Sequence, residues 1–282
     1  MINTFNELGL DEHLVEGLKK QGITEPTTIQ ADTIKLALEN KDIVGQSPTG
    51  SGKTLAFLLP IFQRVDAGKK ETQAIVLEPT HELVMQIEKQ ARLLAANSGI
   101  AVTSAAIIGE VNITRQIEKL REKPNIIIGS AGRVLELIKR RKINAQTVRT
   151  IVIDEGDRML DEHNLGTVRE VIKTTLRDRQ LMVFSATIGE KTLSTAREFM
   201  KDTQIVRIED RGKISPDIRH IYLEAEKRDK IEVLRKLAAS IKPASNILRA
   251  VLNTLALDEH AEEITTAGPS KSKYERVKSA TE

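Results

Sequence analysis

The stretch Ser47-Pro48-Thr49-Gly50-Ser51-Gly52-Lys53-Thr54 decides the fold of this chain of 282 residues. A short apolar run, residues 42–45, leads into it, and an apolar stretch of helical character, residues 55–59, follows it. Glycines in such a turn let consecutive backbone N–H groups point inward at an anion, and the helix adds its positive N-terminal end. Lys53 can then reach the outer phosphates, and the Thr54 hydroxyl can hold Mg²⁺. The layout predicts a phosphate-binding loop rather than a helix that merely begins after a Gly/Ser turn, although Ser47 replaces the usual first glycine.

Composition narrows the classes of function. The chain has no cysteine, which excludes disulfides, zinc–thiolate sites and thiol nucleophiles. No signal peptide and no apolar run of membrane-spanning length is visible, so we expect a cytoplasmic protein without membrane contact. The net charge of +3 is weak evidence for a nucleic-acid partner. With two Tyr, five Phe and no Trp, base-stacking platforms are improbable, so any nucleic-acid contact should go to the sugar–phosphate backbone.

From residue 42 onward, short β-branched runs alternate with segments of helical period. The predicted strands are residues 43–44, 74–77, 102–108, 126–128, 151–153, 181–184 and 205–208. The predicted helices between them include residues 82–96, 111–122, 134–141, 167–176 and 192–200. Consecutive apolar positions in the strands indicate burial on both faces, so we predict an α/β fold with a mainly parallel sheet and helices on both faces. Ligands of such sheets bind at the carboxyl ends of the strands.

Two of these strand ends carry candidate functional residues. One apolar strand ends in Asp154-Glu155, where a phosphate-loop ATPase keeps its metal carboxylate and its base. Asp154 would hold Mg²⁺ through water, and Glu155 would orient and deprotonate the attacking water. The next strand ends in Ser185-Ala186-Thr187, whose hydroxyls are placed to hydrogen-bond Asp157 and relay the nucleotide state.

Several of these stretches together resemble the DEAD-box ATP-dependent RNA helicases, in matching order and spacing across about residues 3–240. They are Gly22 to Gln30 with Phe5 upstream, Thr49 to Thr54, Pro79 to Leu83, Asp154 to Asp157, and Ser185 to Thr187. The resemblance implies a RecA-like P-loop NTPase domain that binds ATP, Mg²⁺ and one face of a single RNA strand. In this family a second RecA-like domain normally closes over both ligands.

The resemblance also assigns roles to individual residues. ATP-binding residues would be Phe5, Gln30, Ser47, Pro48, Thr49, Gly50, Ser51, Gly52, Lys53 and Thr54, with Gln30 reading adenine and Phe5 packed near the base. Catalytic residues would be Lys53, Asp154 and Glu155, the metal ligands Thr54 and Asp154, and the coupling residues Asp157, Ser185 and Thr187. RNA-binding residues would be Pro79, Thr80, Gly109, Ser130, Gly132 and Arg133, without reading of sequence.

The chain departs from the family pattern mainly where RNA would bind. Gly156 replaces an alanine, His81 an arginine, Glu110 a second glycine, Ser130-Ala131 a Thr-Pro pair, and Ile23 an aromatic residue. At position 81 the chain thus lacks the permanently charged, forked guanidinium of an arginine. The positions facing ATP are thus nearly intact, whereas those facing RNA are altered at several points.

The predicted organisation has three parts. Residues 1–210 form the helicase ATP-binding domain, with the adenine-recognition motif within residues 3–31. Residues 211–242 form a linker with a strand and a helix, and residues 243–282 a truncated, degenerate and partly disordered start of a second RecA-like domain. Since no arginine finger is visible, we expect an RNA helicase that is weak or inactive alone, with a second RecA-like domain in trans as a candidate partner. The alternative is a non-catalytic module, derived from a helicase, that binds ATP and RNA or a protein partner.

Overall fold

The fold is known from a computed structural model, which describes residues 4–109, 111–208, 229–233 and 236. The chain divides into two units, residues 1–211 and 212–282, and the sheet lies in the first of them. Most of the predicted linker, residues 211–242, and all of the predicted second-domain segment, residues 243–282, lie outside the described residues. Within the described ranges, no helix is both long and apolar enough to cross a membrane.

Across residues 4–109 and 111–208 the structure contains one sheet of seven strands, all parallel. The strands are β1 (Ile43–Gln46), β2 (Ala74–Leu77), β3 (Ser104–Ile107), β4 (Ile126–Gly129), β5 (Thr150–Ile153), β6 (Gln180–Ser185) and β7 (Gln204–Arg207). Their spatial order is β3-β4-β2-β5-β6-β1-β7. Each of the seven strands predicted from the apolar runs is present, which confirms the fold class.

Helices connect these strands and cover both faces of the sheet. They are α1 (Glu12–Lys19), α2 (Thr28–Leu38), α3 (Lys53–Arg64), α4 (His81–Ser98), α5 (Ile113–Arg121), α6 (Ala131–Lys139), α7 (Gly156–Met159), α8 (Leu165–Thr174) and α9 (Glu190–Arg197), with a short 3-10 helix at Ala145–Thr147. Helices α1 to α4 pack on one face, and α5, α6, α8 and α9 pack on the other.

The central strands explain why both faces are covered. In β2, Val76 packs into the core beneath α1 to α4, whereas its neighbours Ile75 and Leu77 pack into the opposite core. All three side chains are fully buried. Burying such a side chain contributes about 1.5–3 kcal/mol, and alternate residues of a strand point to opposite faces, so both faces must be covered by helices.

The strand order sets the position of the candidate site. Strand β6 lies between β1, which leads into the phosphate-loop stretch, and β5, which ends at Asp154. Strand β2 pairs with the other side of β5, with Leu77 beside Ile153 in register. The carboxyl ends of β2, β5, β6 and β1 therefore stand side by side at one edge of the sheet, and the residues that follow them face a common space.

Candidate active site

The phosphate-loop stretch connects β1 to the first turn of α3, as predicted. Lys53 is buried, and its Nζ donates hydrogen bonds to the backbone oxygens of Ser47 at 2.7 Å and Pro48 at 2.9 Å. Burial lowers the pKa of Lys53, while the neighbouring carboxyls of Asp154 and Glu155 act to raise it. The ammonium thus lies within the curl of its own loop, beside two acidic side chains that follow β5.

Ser47, which replaces the usual first glycine of the pattern, makes hydrogen bonds that stabilise the phosphate loop. It is fully buried, and its N–H donates to the backbone oxygen of Ser185 on β6 at 3.1 Å. Its hydroxyl shares a 2.5 Å hydrogen bond with the hydroxyl of Ser51. A hydrogen bond of this kind contributes about 1 kcal/mol, so the serine ties the beginning of the loop to its tip in a way that glycine cannot.

Gln30, the predicted adenine reader, is 2% exposed and bridges α2 to the loop. Its Nε2 donates to the backbone oxygen of Gly52 at 3.0 Å, and its Oε1 accepts from the N–H of Thr27 at 3.0 Å, closing a capping box at the start of α2. Gly52 has φ +95°, and a side chain there would lie 2.4 Å from the Gln30 amide. The structure therefore places Gln30 against the phosphate loop, and its contact with a base stays a prediction.

Phe5 lies in the apolar core on the α1–α4 face of the sheet and is 1% exposed. It belongs to the same core cluster as Ile29 and Ile34 of α2. Its predicted position near the base stays a prediction.

Asp154 and Glu155 follow β5 directly. The Asp154 carboxyl is buried and accepts a hydrogen bond from the N–H of Glu155 at 2.9 Å. Burial raises the pKa of Asp154 to about 6, against the lowering effects of that hydrogen bond and of Lys53. Glu155 has φ +47°, a left-handed conformation that non-glycine residues adopt at a cost and that clusters at functional sites.

A third carboxyl at this edge of the sheet was missed by sequence reasoning. Glu78 follows β2, is fully buried, and neither of its carboxylate oxygens has a hydrogen-bond partner. Because Leu77 pairs with Ile153, Glu78 stands beside Asp154 at the next register position. Burial raises the pKa of Glu78 to about 10, with further contributions from Asp154 and Glu155. The sequence feature that could have revealed Glu78 is an acidic residue directly after a fully apolar strand.

The predicted contact between the ends of β5 and β6 is present. The Asp157 N–H donates to the Ser185 hydroxyl at 3.3 Å, and the Thr187 hydroxyl donates to the Asp157 carboxylate at 2.5 Å. These bonds hold the first turn after β5 against the end of β6. Their role in coupling nucleotide state to RNA stays a prediction.

Gly156 packs closely against Val183 of β6. A Cβ at this position would lie 2.6 Å from a methyl group of Val183, a buried residue of β6. The alanine of the family pattern therefore cannot be accommodated unless Val183 moves. The geometry indicates that Gly156 and Val183 are adapted to each other.

The predicted RNA-facing turns lie at the same edge of the sheet, after β2, β3 and β4. Thr80 caps α4, its hydroxyl accepting from the N–H of Leu83 at 3.3 Å. A Cβ at Gly109 would lie 3.6 Å from His81 Nε2, so these two turns are neighbours. Glu110 lies outside the described residues.

At the start of α6, Ser130 is the N-cap residue and makes no side-chain cap bond, and Gly132 is exposed. Arg133 is engaged within the protein, because it donates to the backbone oxygen of Val111 at 3.2 Å and pairs with Glu136 at 3.1 Å. RNA contact by these turns stays a prediction, and for Arg133 it would require exchange of existing partners.

In the part of the chain that the structure describes, no group of three or more His, Cys, Asp or Glu side chains forms a ready-made metal cage. Mg²⁺ in nucleotide sites is bound by one or two carboxylates together with water and substrate phosphates. The Asp154 carboxyl and the Thr54 hydroxyl, at the second residue of α3, are suited to such a shared site.

This chain matches a family model and several curated relatives. A family model described as DEAD/DEAH box helicase matches residues 27–196. Curated relatives include the probable ATP-dependent RNA helicase YfmL of Bacillus subtilis, 39% identical over 223 residues, and the DEAD-box ATP-dependent RNA helicase CshC of Bacillus cereus, 41% identical over 224 residues. Each match covers 79% of this chain but only 59% and 57% of the respective relative. The chain thus spans somewhat more than half the length of these relatives.

Solved structures agree in fold. A DEAD box protein from Methanococcus jannaschii superposes with a TM-score of 0.70 at 29% identity, covering 91% of this chain and 70% of that chain. Saccharomyces cerevisiae Dbp5 bound to RNA and ADP BeF3 gives a TM-score of 0.77 at 27% identity, covering 90% of this chain and 67% of that chain.

The matching family model extends over more than half of the sequence, and it includes the phosphate loop and the Asp154-Glu155 strand end. The chain belongs to the DEAD/DEAH box helicase family.

Proposed function

We propose that this chain binds ATP with Mg²⁺ and hydrolyses the ATP in a cycle coupled to RNA binding. The observation that carries the proposal is the convergence of three side chains at one edge of the sheet. The Lys53 ammonium of the phosphate loop lies within electrostatic reach of Asp154 and Glu155 after β5. A cation for phosphate, a carboxylate for metal and a second carboxylate for water are the parts that phosphate-loop hydrolysis requires.

The residues present fit a metal-bound nucleotide. Glu78 and Asp154 place two buried carboxyls side by side, and burial raises the pKa of both. A divalent cation at this edge would favour the ionised form of Asp154, and Asp154 and Thr54 would hold the cation. When bound, Mg²⁺ neutralises the charge that develops on the transferring phosphoryl group.

The protein's own groups have distinct tasks in this proposal. Lys53 exchanges the backbone oxygens of Ser47 and Pro48 for phosphate oxygens, because an anionic oxygen attracts the ammonium more strongly than a neutral carbonyl oxygen does. Glu155, held in its left-handed conformation, accepts the proton of the attacking water. Asp157 remains tied to Ser185 and Thr187, so a shift of the β5 end is transmitted to the β6 end.

RNA binding is proposed for the turns after β2, β3 and β4. The N-terminus of α6, nine residues long, begins at Ser130-Ala131 beside these turns, and its N–H groups are suited to a backbone phosphate. A second RecA-like domain, acting in trans, is proposed to complete the site with an arginine, a contribution worth about 10³–10⁵ in rate in related enzymes. A cytoplasmic location is part of the same proposal and is tested by cell fractionation.

Calorimetry with Mg²⁺ and ATP tests the binding part of the proposal. Lys53→Ala should abolish measurable binding, since it removes the charge that faces the phosphates. Lys89→Ala, on the exposed side of α4, serves as the charge-matched control and should bind like the wild type. Undiminished affinity of Lys53→Ala would refute the phosphate-loop assignment. Tight binding without any turnover would instead support the non-catalytic alternative, in which ATP is a structural ligand.

A further inference from the structure

A basic cavity of about 510 Å³ opens at the edge of the sheet opposite to the candidate active site. Its cations come from three separate loops. Lys70 precedes β2, Arg121 and Lys123 lie at the end of α5 before β4, and Arg141 and Lys142 lie between α6 and β5. Because β4, β2 and β5 are adjacent in the sheet, these loops lie side by side at the amino ends of their strands. Strands of four residues, about 13 Å long, separate this edge from the active-site edge.

The side chains that line this cavity carry a large excess of positive charge. Five cationic side chains line it, against one carboxylate, that of Glu71. Within the described part of the chain, none of the five cations makes an ion pair or a side-chain hydrogen bond, and all five are exposed. Neighbouring cations on the same surface are paired: Arg140 with Glu136 at 2.7 Å, and Arg149 with Asp178 at 2.9 Å. The like charges of the cavity repel one another unless an anion lies between them.

Two of the cations occupy positions that sterically favour glycine. Lys123 has φ +54° and Arg141 has φ +57°, each one residue beyond the C-cap of a helix. Helices most often end with glycine at this left-handed position, because it has no Cβ to clash. The chain instead places a charged side chain there twice, at two helix ends that line the same cavity.

We infer that this cavity is a second nucleic-acid site, which takes the sugar–phosphate backbone of RNA segments flanking the strand at the active-site edge. The inference rests on the proposed function for its assumption that RNA is present. None of the lining residues is aromatic, so the cavity has no platform on which a base could stack. Three of the five cations are lysines, which bind phosphate as mobile point charges and suit a backbone whose exact position varies.

The test is the salt dependence of RNA binding by the full chain. We would measure fluorescence anisotropy of a labelled RNA hairpin with a long single-stranded tail over a series of KCl concentrations. The cavity variant is Lys123→Gly/Arg141→Gly, which removes two charges and relieves two left-handed residues, so its folding stability should be equal to or above that of the wild type. The control variant Lys19→Gln/Arg92→Gln also removes two charges, from ion pairs on α1 and α4.

Each phosphate contact contributes about 0.7 to 0.9 to the steepness with which log K falls with log salt concentration. Loss of two contacts should therefore make this slope shallower by about 1.4 to 1.8. The control should keep the wild-type slope. An unchanged slope in the cavity variant, or an equal loss in the control, would overturn the inference while leaving the proposed function intact. If the wild type binds no RNA even at low salt, the proposed function fails first, and the inference with it.

A second double variant and a competitor complete the experiment. Should the glycine variant unfold, Arg121→Gln/Lys142→Gln removes two cavity charges without touching a left-handed residue. Polyglutamate serves as a competitor of different chemistry. The RNA assignment is wrong if two results are found together. Polyglutamate displaces labelled RNA from the wild type as effectively as unlabelled RNA does, and it loses this effect in the cavity variant. The cavity would then be a site for an acidic protein.

Discussion

Glu78→Gln is expected to change how the protein's stability depends on pH. The Glu78 carboxyl is fully buried without a hydrogen-bond partner, and burial raises its pKa from 4.5 to about 10. Between these two values the folded protein holds a proton that the unfolded chain has lost. The free energy of unfolding therefore falls as pH rises, by about 1.4 kcal/mol per pH unit from this group alone. Below pH 4.5 the penalty vanishes, and it is greatest above pH 10.

The magnitude follows from the distance between the working pH and the unfolded pKa. At pH 7 the cost of keeping Glu78 protonated is about 3 kcal/mol, and it grows by about 3 kcal/mol more by pH 9. Glutamine has the same shape but cannot ionise, so the variant lacks this slope. Its unpaired amide adds a penalty that does not depend on pH, and that penalty cancels when the difference between variant and wild type is compared at two pH values.

The assay is urea unfolding without nucleotide at pH 7, 8 and 9, a window above the Asp154 pKa of about 6. The advantage of Glu78→Gln over the wild type should grow by about 3 kcal/mol across it, equivalent to about 6–12 °C in melting temperature. Glu82→Gln, at an exposed position in the first turn of α4, is the control and should show no such growth. Parallel curves for wild type and Glu78→Gln would refute the claim that Glu78 is buried and protonated.

Three further predictions follow from the same edge of the sheet. Gly156→Ala should destabilise the fold by about 1–3 kcal/mol because its methyl group meets Val183; the double variant with Val183→Ala should lose less stability than the sum of the two single variants, and additive effects in the double-mutant cycle would contradict the contact. Binding of Mg²⁺ with ATP should weaken about tenfold per pH unit below pH 6, as Asp154 gains the proton that the metal must displace, whereas affinity that is flat from pH 5 to 8 would show that Asp154 is already ionised. Thr187→Val removes the hydrogen bond to Asp157 and should lower RNA-stimulated turnover while leaving ATP affinity unchanged; a matching loss of ATP affinity would place Thr187 in nucleotide binding instead.

Much of the architecture was predictable because it follows from local chemistry. Apolar β-branched runs such as residues 74–77 and 151–153 belong to strands buried on both faces, and each lies in the parallel sheet. The phosphate loop was predictable because glycines, lysine and threonine at fixed offsets have few other uses. Even the hydrogen bonds among Asp157, Ser185 and Thr187 followed from the adjacency of consecutive strand ends.

What could not be predicted depends on contacts between distant segments. The pairing of β2 with β5 places Glu78 beside Asp154, and no local pattern reports that two carboxyls 76 positions apart in the sequence are adjacent in the fold. The fit of Gly156 to Val183 likewise exists only after β6 has packed against α7. Short elements escape periodicity altogether, since a four-residue helix such as α7 completes little more than one turn.

The basic cavity is the clearest case of this limit. Its cations, Lys70 to Lys142, come from three loops and are joined only by the strand order of the sheet. The chain's net charge of +3 gave no sign of them, because a sum over the sequence hides charge that is concentrated at one place.

The most direct test of the central claim is steady-state ATP turnover of the purified chain with Mg²⁺, with and without single-stranded RNA. Glu155→Gln is the blank, because glutamine cannot accept the proton of the attacking water. We expect turnover above this blank that rises when RNA is added, and a further rise if a second RecA-like domain is supplied in trans. Turnover that stays at the level of Glu155→Gln under all these conditions, with ATP still bound, would contradict the claim that this chain is built for hydrolysis.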